Sequence, residues 1–136
     1  MAITYAIDED PRTVEALAEG IKAYNRRFVN GPPPQKFNVA LRDDDGAIVG
    51  GVAATLGHRS MYLEIVWNGD AVRGKGHGRK MMAMVEEEGR KRGAADSWLY
   101  TMSFQARPFY EKLGYKVMGE VPFPGGHQRI VMWKAL

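Results

Sequence analysis

The sequence predicts a single α/β domain, residues 1–136, built around one mixed sheet. Three observations carry that expectation. The chain has 136 residues, the length of one core. Apolar residues make up 45% and charged residues 26%, the balance of a folded globule rather than a disordered chain. Short runs of alternating polarity are interleaved with runs of helical spacing. Cysteine is absent, which excludes a disulfide framework, a Cys-ligated zinc site, an iron–sulfur cluster and a cysteine nucleophile. Gly 16 is too high a count for a plain helical bundle, and the glycines show no collagen period.

The elements follow in order. Ile3 to Ile7 alternates and is predicted as a strand. Asp10 and Pro11 start a helix, as cap and first helical residue. Val14, Leu17, Ala18, Ile21 and Phe28 give it one apolar face. Gly31-Pro32-Pro33-Pro34 ends that unit. Strands are predicted at Lys36–Leu41, Ile48–Leu56 and Ser60–Trp67, the first two joined by the turn Asp43-Asp44-Asp45-Gly46. Asn68 to Gly78 is a polar, Gly-rich loop. A helix follows from Gly78 to Lys91, with Met81, Met84 and Val85 as its apolar face and Gly93 as its stop. Its Glu86, Glu87 and Glu88 stand four residues before Arg90, Lys91 and Arg92, the favourable order. Then come a strand at Ser97–Met102, a short helix at Pro108–Leu113 closed by Gly114, and a last strand pair, Lys116–Val121 and Arg129–Lys134. The sum is β-α-β-β-β-α-β-α-β-β.

Charge and hydropathy exclude several classes. The formal net charge is +3, and the bases concentrated between Arg73 and Arg92 are partly offset by three glutamates. That is not the basic stripe of a nucleic-acid binder, so no nucleic-acid partner is expected. No basic segment leads into an apolar run, and no apolar stretch approaches the ~20 residues that span a bilayer. The expectation is a cytoplasmic protein with no membrane partner. Three scattered histidines, His58, His77 and His127, lack metal-ligand spacing, so no metal is expected.

The loop Val72-Arg73-Gly74-Lys75-Gly76-His77-Gly78-Arg79-Lys80 sits between a strand and a helix. Alternate glycines leave the backbone N–H groups unshielded, and the helix adds its own unpaired N–H groups and positive dipole end. Arg73, Lys75, Arg79 and Lys80 add positive charge. Such a loop suits a phosphate or pyrophosphate. It is not a P-loop, which needs four residues between its glycines and then Lys with Ser or Thr. Nor is it the G-x-G-x-x-G dinucleotide fingerprint.

The pattern present is R-x-x-G-x-G, and with its flanks it resembles the acyl-coenzyme A loop of the GNAT superfamily of N-acetyltransferases. Upstream lies the aromatic–aliphatic run Tyr62-Leu63-Glu64-Ile65-Val66-Trp67. Downstream lies Phe109-Tyr110-Glu111-Lys112-Leu113-Gly114-Tyr115, similar to a phrase that closes the family's short helix. The resemblance is firm from Leu63 to Tyr115. It implies a mostly antiparallel sheet, flanked by helices, with a splayed parallel pair, Tyr62–Trp67 and Ser97–Met102, in its middle. It implies acetyl-coenzyme A as co-substrate and a primary amine of a small molecule or peptide as acceptor.

The family's functional positions carry over as follows. Val66, Trp67 and Asn68 are expected to pair with the cofactor's pantetheine arm through the backbone, although the family often has an aliphatic residue at Asn68. Arg73, Gly74, Lys75, Gly76, His77, Gly78 and Arg79 are expected around the pyrophosphate. Ser103 and Gln105 stand where the family often has an Asn. Tyr110 matches the tyrosine near the coenzyme A sulfur; its phenol either donates a proton to the leaving thiolate or only packs and hydrogen-bonds there. Glu64 is the candidate base for the amine, the alternative being a surface carboxylate on the other face of its strand. Tyr24, Phe28, Trp67 and His127 are expected at the acceptor pocket. With no cysteine, a Cys-linked acyl-enzyme is excluded, and the resemblance implies direct transfer. The alternative is a module that binds or senses acyl-coenzyme A without catalysis. The apolar end Ile130-Val131-Met132-Trp133 is compatible with a homodimer.

Overall fold

A computed structural model describes all 136 residues, which form two compact units, Met1–Pro32 and Pro33–Leu136. In the first unit, helix α1 spans Pro11–Asn25. Its start is as expected: the Asp10 side chain accepts from the backbone N–H of Arg12, and Pro11 sits in the first turn. None of its residues is buried. The strand predicted at Ile3–Ile7 does not form; these residues are irregular and exposed. A five-residue strand has no intrinsic stability and needs a neighbour for its backbone groups.

The second unit holds six strands and two helices. The strands are β1 (Gln35–Arg42), β2 (Ile48–Gly57), β3 (Ser60–Asn68), β4 (Asp96–Met102), β5 (Lys116–Phe123) and β6 (His127–Ala135). The helices are α2 (His77–Lys91) and α3 (Arg107–Lys112). The sheet order is β1-β2-β3-β4-β6-β5, antiparallel throughout except for β3 beside β4. The element boundaries lie within one or two residues of those read from the sequence. No helix is long and apolar enough to cross a membrane.

Local chemistry explains the turns. Asp43 Oδ1 accepts from the N–H groups of Asp45 and Ala47, and Gly46 takes the left-handed conformation (φ +81°) that closes the β1–β2 hairpin. The core lies where α2 packs on the sheet: Met81, Met82 and Val85 meet Val52, Ala54, Leu56, Met61 and Leu63. A buried polar cluster pins the same helix. Glu86 accepts from Lys134 Nζ at 2.6 Å and from the Tyr115 hydroxyl at 3.1 Å, and Ser97 Oγ lies 2.8 Å from that hydroxyl. The carboxylate is buried but paired, so its desolvation is compensated.

Candidate active site

Strands β3 and β4 pair only at Ser60–Asp96, Met61–Ser97 and Tyr62–Trp98. Tyr62 and Trp98 are the last pair, and their rings stack with centroids 4.3 Å apart. Beyond them the strands diverge, while β3 stays paired to β2 as far as Asn68 and β4 stays paired to β6 as far as Met102. The facing edges of β3 and β4 therefore carry backbone groups with no ladder partner, as the resemblance implied. A cleft of about 970 Å³ opens in this fork. Leu63 to Asn68 form one wall, Leu99 to Met102 the other, and Phe109 and Tyr110 of α3 the floor.

A β-bulge shapes the first wall. Ala53 pairs with Ile65 and Ala54 with Leu63, so Glu64 is the extra residue. Leu63 and Val66 both face the core side, three residues apart, and Glu64 is left exposed on the cleft wall rather than partly buried. Its Oε1 accepts a hydrogen bond from the Thr55 hydroxyl, which fixes the carboxylate's direction.

The glycine loop closes one end. After a single 3₁₀ turn at Asp70–Val72, Gly74 (φ +74°) and Gly76 (φ +82°) adopt the left-handed conformation, and α2 begins at His77 with no side chain capping it. No acidic residue lies in its first turn. A Cβ at Gly74 or Gly76 would meet nothing within 4 Å, so glycine is required there by conformation. Gly78 differs: a Cβ would lie 3.1 Å from Asn68 Nδ2 and 3.2 Å from the Phe109 ring. Arg73 turns back on the loop, its Nε donating to the Asn68 carbonyl at 3.0 Å and its guanidinium pairing with Asp70 at 3.0 Å. It braces the loop as well as adding charge.

Tyr110 is buried at the floor, its ring edge-on to Phe109 and Tyr115. Burial pushes its phenol up to about 12, so it keeps its proton at neutral pH. Tyr115 is also pushed up by burial, but Ser97 and Glu86 already engage its hydroxyl. The two neighbouring tyrosines thus divide: Tyr115 belongs to the core network and Tyr110 faces the cleft.

The cleft brings together Glu64, Val66, Trp67, Asn68, Arg73, Gly78, Gln105 and Tyr110. Gln105 accepts from the Met102 N–H at 2.8 Å, which closes the end of β4. Gly74, Lys75 and Gly76 belong to the loop beside it, and His77 and Arg79 lie in the first turn of α2. Ser103 instead ties to Gln128, whose N–H its hydroxyl accepts at 3.0 Å. His127 packs edge-on against Phe104, a cleft residue, at 4.8 Å. Tyr24 and Phe28 lie in the first unit, their rings 5.6 Å apart. The sequence reading missed Tyr100, Phe104, Phe123 and Arg129, which also line the cleft. Arg129 stacks its guanidinium over Phe123 at 4.8 Å. Strand alternation marks Tyr100 as opposite to buried Leu99, but Arg129 is visible only once the β4–β6 register is known.

The residues fit a thin ligand with amides at one end of the fork and a pyrophosphate at the loop. Open strand edges suit amides, and an uncapped helix start behind two left-handed glycines suits an anion. Asn68 Oδ1 is buried with no hydrogen-bond partner, an acceptor placed where strand and loop meet. No cluster of His, Asp or Glu could hold a metal ion.

Comparison with known proteins agrees with this geometry. The family model described as "Acetyltransferase (GNAT) family" matches residues 3–115. An acetyltransferase of Agrobacterium fabrum is 30% identical over 112 residues, 82% of each chain. Blasticidin-S acetyltransferase of Streptomyces morookaense is 29% identical over 83 residues, 60% of this chain and 61% of its own. Among solved structures, an acetyltransferase from Bacillus cereus superposes with a TM-score of 0.89 at 25% identity over 98% of both chains. An N-acetyltransferase from Thermoplasma acidophilum, solved with coenzyme A, shares the fold with a TM-score of 0.62 at 16% identity; it covers 94% of this chain and 80% of its own. The chain belongs to the GNAT family of acetyltransferases.

Proposed function

We propose that this protein is an acetyl-coenzyme A-dependent N-acetyltransferase that passes the acetyl group directly to a primary amine of a small molecule or peptide. The whole chain serves as one acetyltransferase domain working in the cytoplasm, a reading with which a homodimer is compatible. The observation that carries the reading is the coincidence, in one cleft, of the β3–β4 fork, the glycine loop and Tyr110. Val66, Trp67 and Asn68 offer backbone groups to the pantetheine amides. The loop from Arg73 to Arg79 holds the pyrophosphate, with Gln105, and Ser103 through its tie to Gln128, supporting the far wall.

In the transfer, the amine nitrogen bonds to the thioester carbon and the C–S bond breaks. Glu64, held by Thr55, takes the amine proton directly or through one water. Tyr110 supplies a proton to the departing sulfur and recovers one from solvent. Its pKa of about 12 exceeds the ~8.5 of an ordinary thiol. The transfer therefore relies on the cleft desolvating the thiolate, which raises its basicity by the same cause. A backbone N–H near Trp67 or Asn68 steadies the carbonyl oxygen. Trp67, Arg129 and Phe123 wall the acceptor end, with His127 reaching it through Phe104; Tyr24 and Phe28 are proposed acceptor contacts as well.

The test is a thiol-release assay with acetyl-coenzyme A against amines, amino acids, polyamines and peptide N-termini, run beside a thermal-shift titration. Turnover with a raised melting temperature supports the reading. A raised melting temperature with no thiol release from any acceptor points to a binding module instead. No shift with either form of the cofactor overturns both. Tyr110→Phe is expected to lower kcat by about 10²–10⁴ at saturating substrate. Near-native turnover would remove its acid role.

A further inference from the structure

We propose that Arg129 selects acceptors that carry a carboxylate as well as the reacting amine. It holds the carboxylate at the β6 side of the cleft while the amine meets the thioester at the β3 side. The proposal rests on the acetyl-transfer reading for its chemistry and narrows the acceptor class.

Three charged residues line the cleft: Glu64, Arg73 and Arg129. Two are already engaged. Arg73 pairs with Asp70 and donates to the Asn68 carbonyl, and Glu64 accepts from Thr55. Arg129 is half-buried, and no carboxylate of the second unit lies within ion-pair distance of it. Glu120, opposite Ile130 on β5, is the acid closest to it along the ladder, and Arg107 takes that carboxylate at 3.2 Å. His127, two residues back on the same strand face, adds no negative charge. A half-buried guanidinium without a counter-ion is incompletely compensated, and an incoming carboxylate supplies what is missing.

The register decides which way that group faces. Arg129 lies opposite Met102 on β4 and Val121 on β5. Strand alternation puts it on the same sheet face as Tyr100 and Phe123. Its guanidinium lies over the Phe123 ring, 4.8 Å from the centroid. The ring restrains the guanidinium without using its N–H groups, which stay free for two parallel bonds to a planar carboxylate.

The rest of the cleft fits such a molecule. Trp67, Tyr100 and Phe104 line it and are 48%, 51% and 60% exposed. Aromatic surface left open in a cleft suits the carbon body of a ligand. Glu64 on the opposite wall repels a carboxylate and attracts an ammonium, so the two walls accept the molecule in one direction only. Strand β4 stands between β3 and β6, so at least two strand spacings, about 10 Å, separate the Glu64 and Arg129 backbones. That span favours a carboxylate several carbons from the amine.

The test compares para-(aminomethyl)benzoate and δ-aminovalerate with their primary amides, which keep the amine and the body and remove the charge. By kcat/KM each acid is expected to be favoured about 10–100-fold, the worth of a hydrogen bond to a charged group. Arg129→Gln is expected to bring that ratio to about one, chiefly through KM, and Arg129→Lys to keep part of it. A raised melting temperature with coenzyme A reports that each variant is folded. If Arg129→Gln does not fold, Arg129→Lys decides, and an undiminished ratio there overturns the proposal. Amides used as well as acids overturn it, as does a preference that survives Arg129→Gln. So does thermal destabilisation of Arg129→Gln with the preference unchanged, the mark of an arginine paired within its own chain. Turnover of other amines but of neither acid overturns it as well. If no amine of any kind releases thiol, the acetyl-transfer reading fails and binding decides this one. Each acid is then expected to raise the melting temperature of the coenzyme A complex more than its amide does, a difference lost in Arg129→Gln. No such difference overturns the proposal.

Discussion

Helices α1 and α2 are both 15 residues long and both amphipathic, yet their fates differ. Helix α2 buries Met81, Met82, Val85, Glu86 and Gly89, while α1 buries none of its residues. The difference is not propensity. Both helices start for local reasons, Asp10 and Pro11 for one and Gly76 for the other, and left-handed Gly93 follows the end of α2. An apolar stripe states that a face seeks cover; it does not state which surface supplies it. For α2 the cover comes from both sides in sequence: β2 and β3 before it supply Val52, Ala54, Leu56, Met61 and Leu63, and after it β6 brings Lys134 to Glu86 and the segment after α3 brings Tyr115.

The largest test of that contrast removes α2's polar anchor. Lys134→Met leaves the Glu86 carboxylate buried with weaker compensation. It should cost about 3–5 kcal/mol in urea unfolding, against little for any single change on the exposed face of α1. A loss below ~1 kcal/mol would show that Arg90, 3.8 Å from the same carboxylate, takes over the pairing.

Alkaline titration sharpens the same point. Burial raises Tyr110 to about 12 and raises Tyr115 as well, both from an unfolded value near 10. The stabilisation from keeping them neutral is fully present below pH ~10. It falls as pH rises towards 12, because the unfolded state releases its protons first. Tyr110 alone should account for about 2–3 kcal/mol of that decline, read from melting or urea curves between pH 9 and 12. A flat profile would mean that the rings are hydrated.

A smaller effect is expected at the start of α2. Gly76→Ala meets no neighbour but must hold φ at +82°, a cost of about 1–2 kcal/mol. If the loop yields to relieve it, KM for acetyl-coenzyme A should rise several-fold with kcat little changed. The smallest expected effect is that of Leu17→Ala on unfolding of the second unit in dilute protein, within about 0.5 kcal/mol. A larger loss would show that α1 supports the fold of its own chain.

Much of this fold was readable because its signals are local. The Asp43–Gly46 turn, the Asp10 cap and the left-handed glycines at 74, 76, 93 and 114 depend on neighbours in sequence. The glycine loop and Tyr110 were legible for the same reason. What was not legible depends on pairing. The bulge at Glu64 sits in a run, Leu63 to Trp67, that is apolar on both faces, so an extra residue leaves no mark in the alternation. Arg129 reaches the cleft through the β4–β6 register, a long-range fact. The Ile3–Ile7 strand was expected from pattern alone, and pattern does not provide a partner for its backbone.

The bulge has one more consequence. Glu64 is the residue that the β2–β3 ladder counts past: it fills no register position and its side chain leaves the core untouched. Substitutions there change the side chain that the cleft wall presents without disturbing Leu63 and Val66, which face the core. A sheet with such an uncounted position can gain or lose a reactive side chain while its scaffold stays the same, so the chemistry of the cleft and the stability of the fold are separable at that point in the chain.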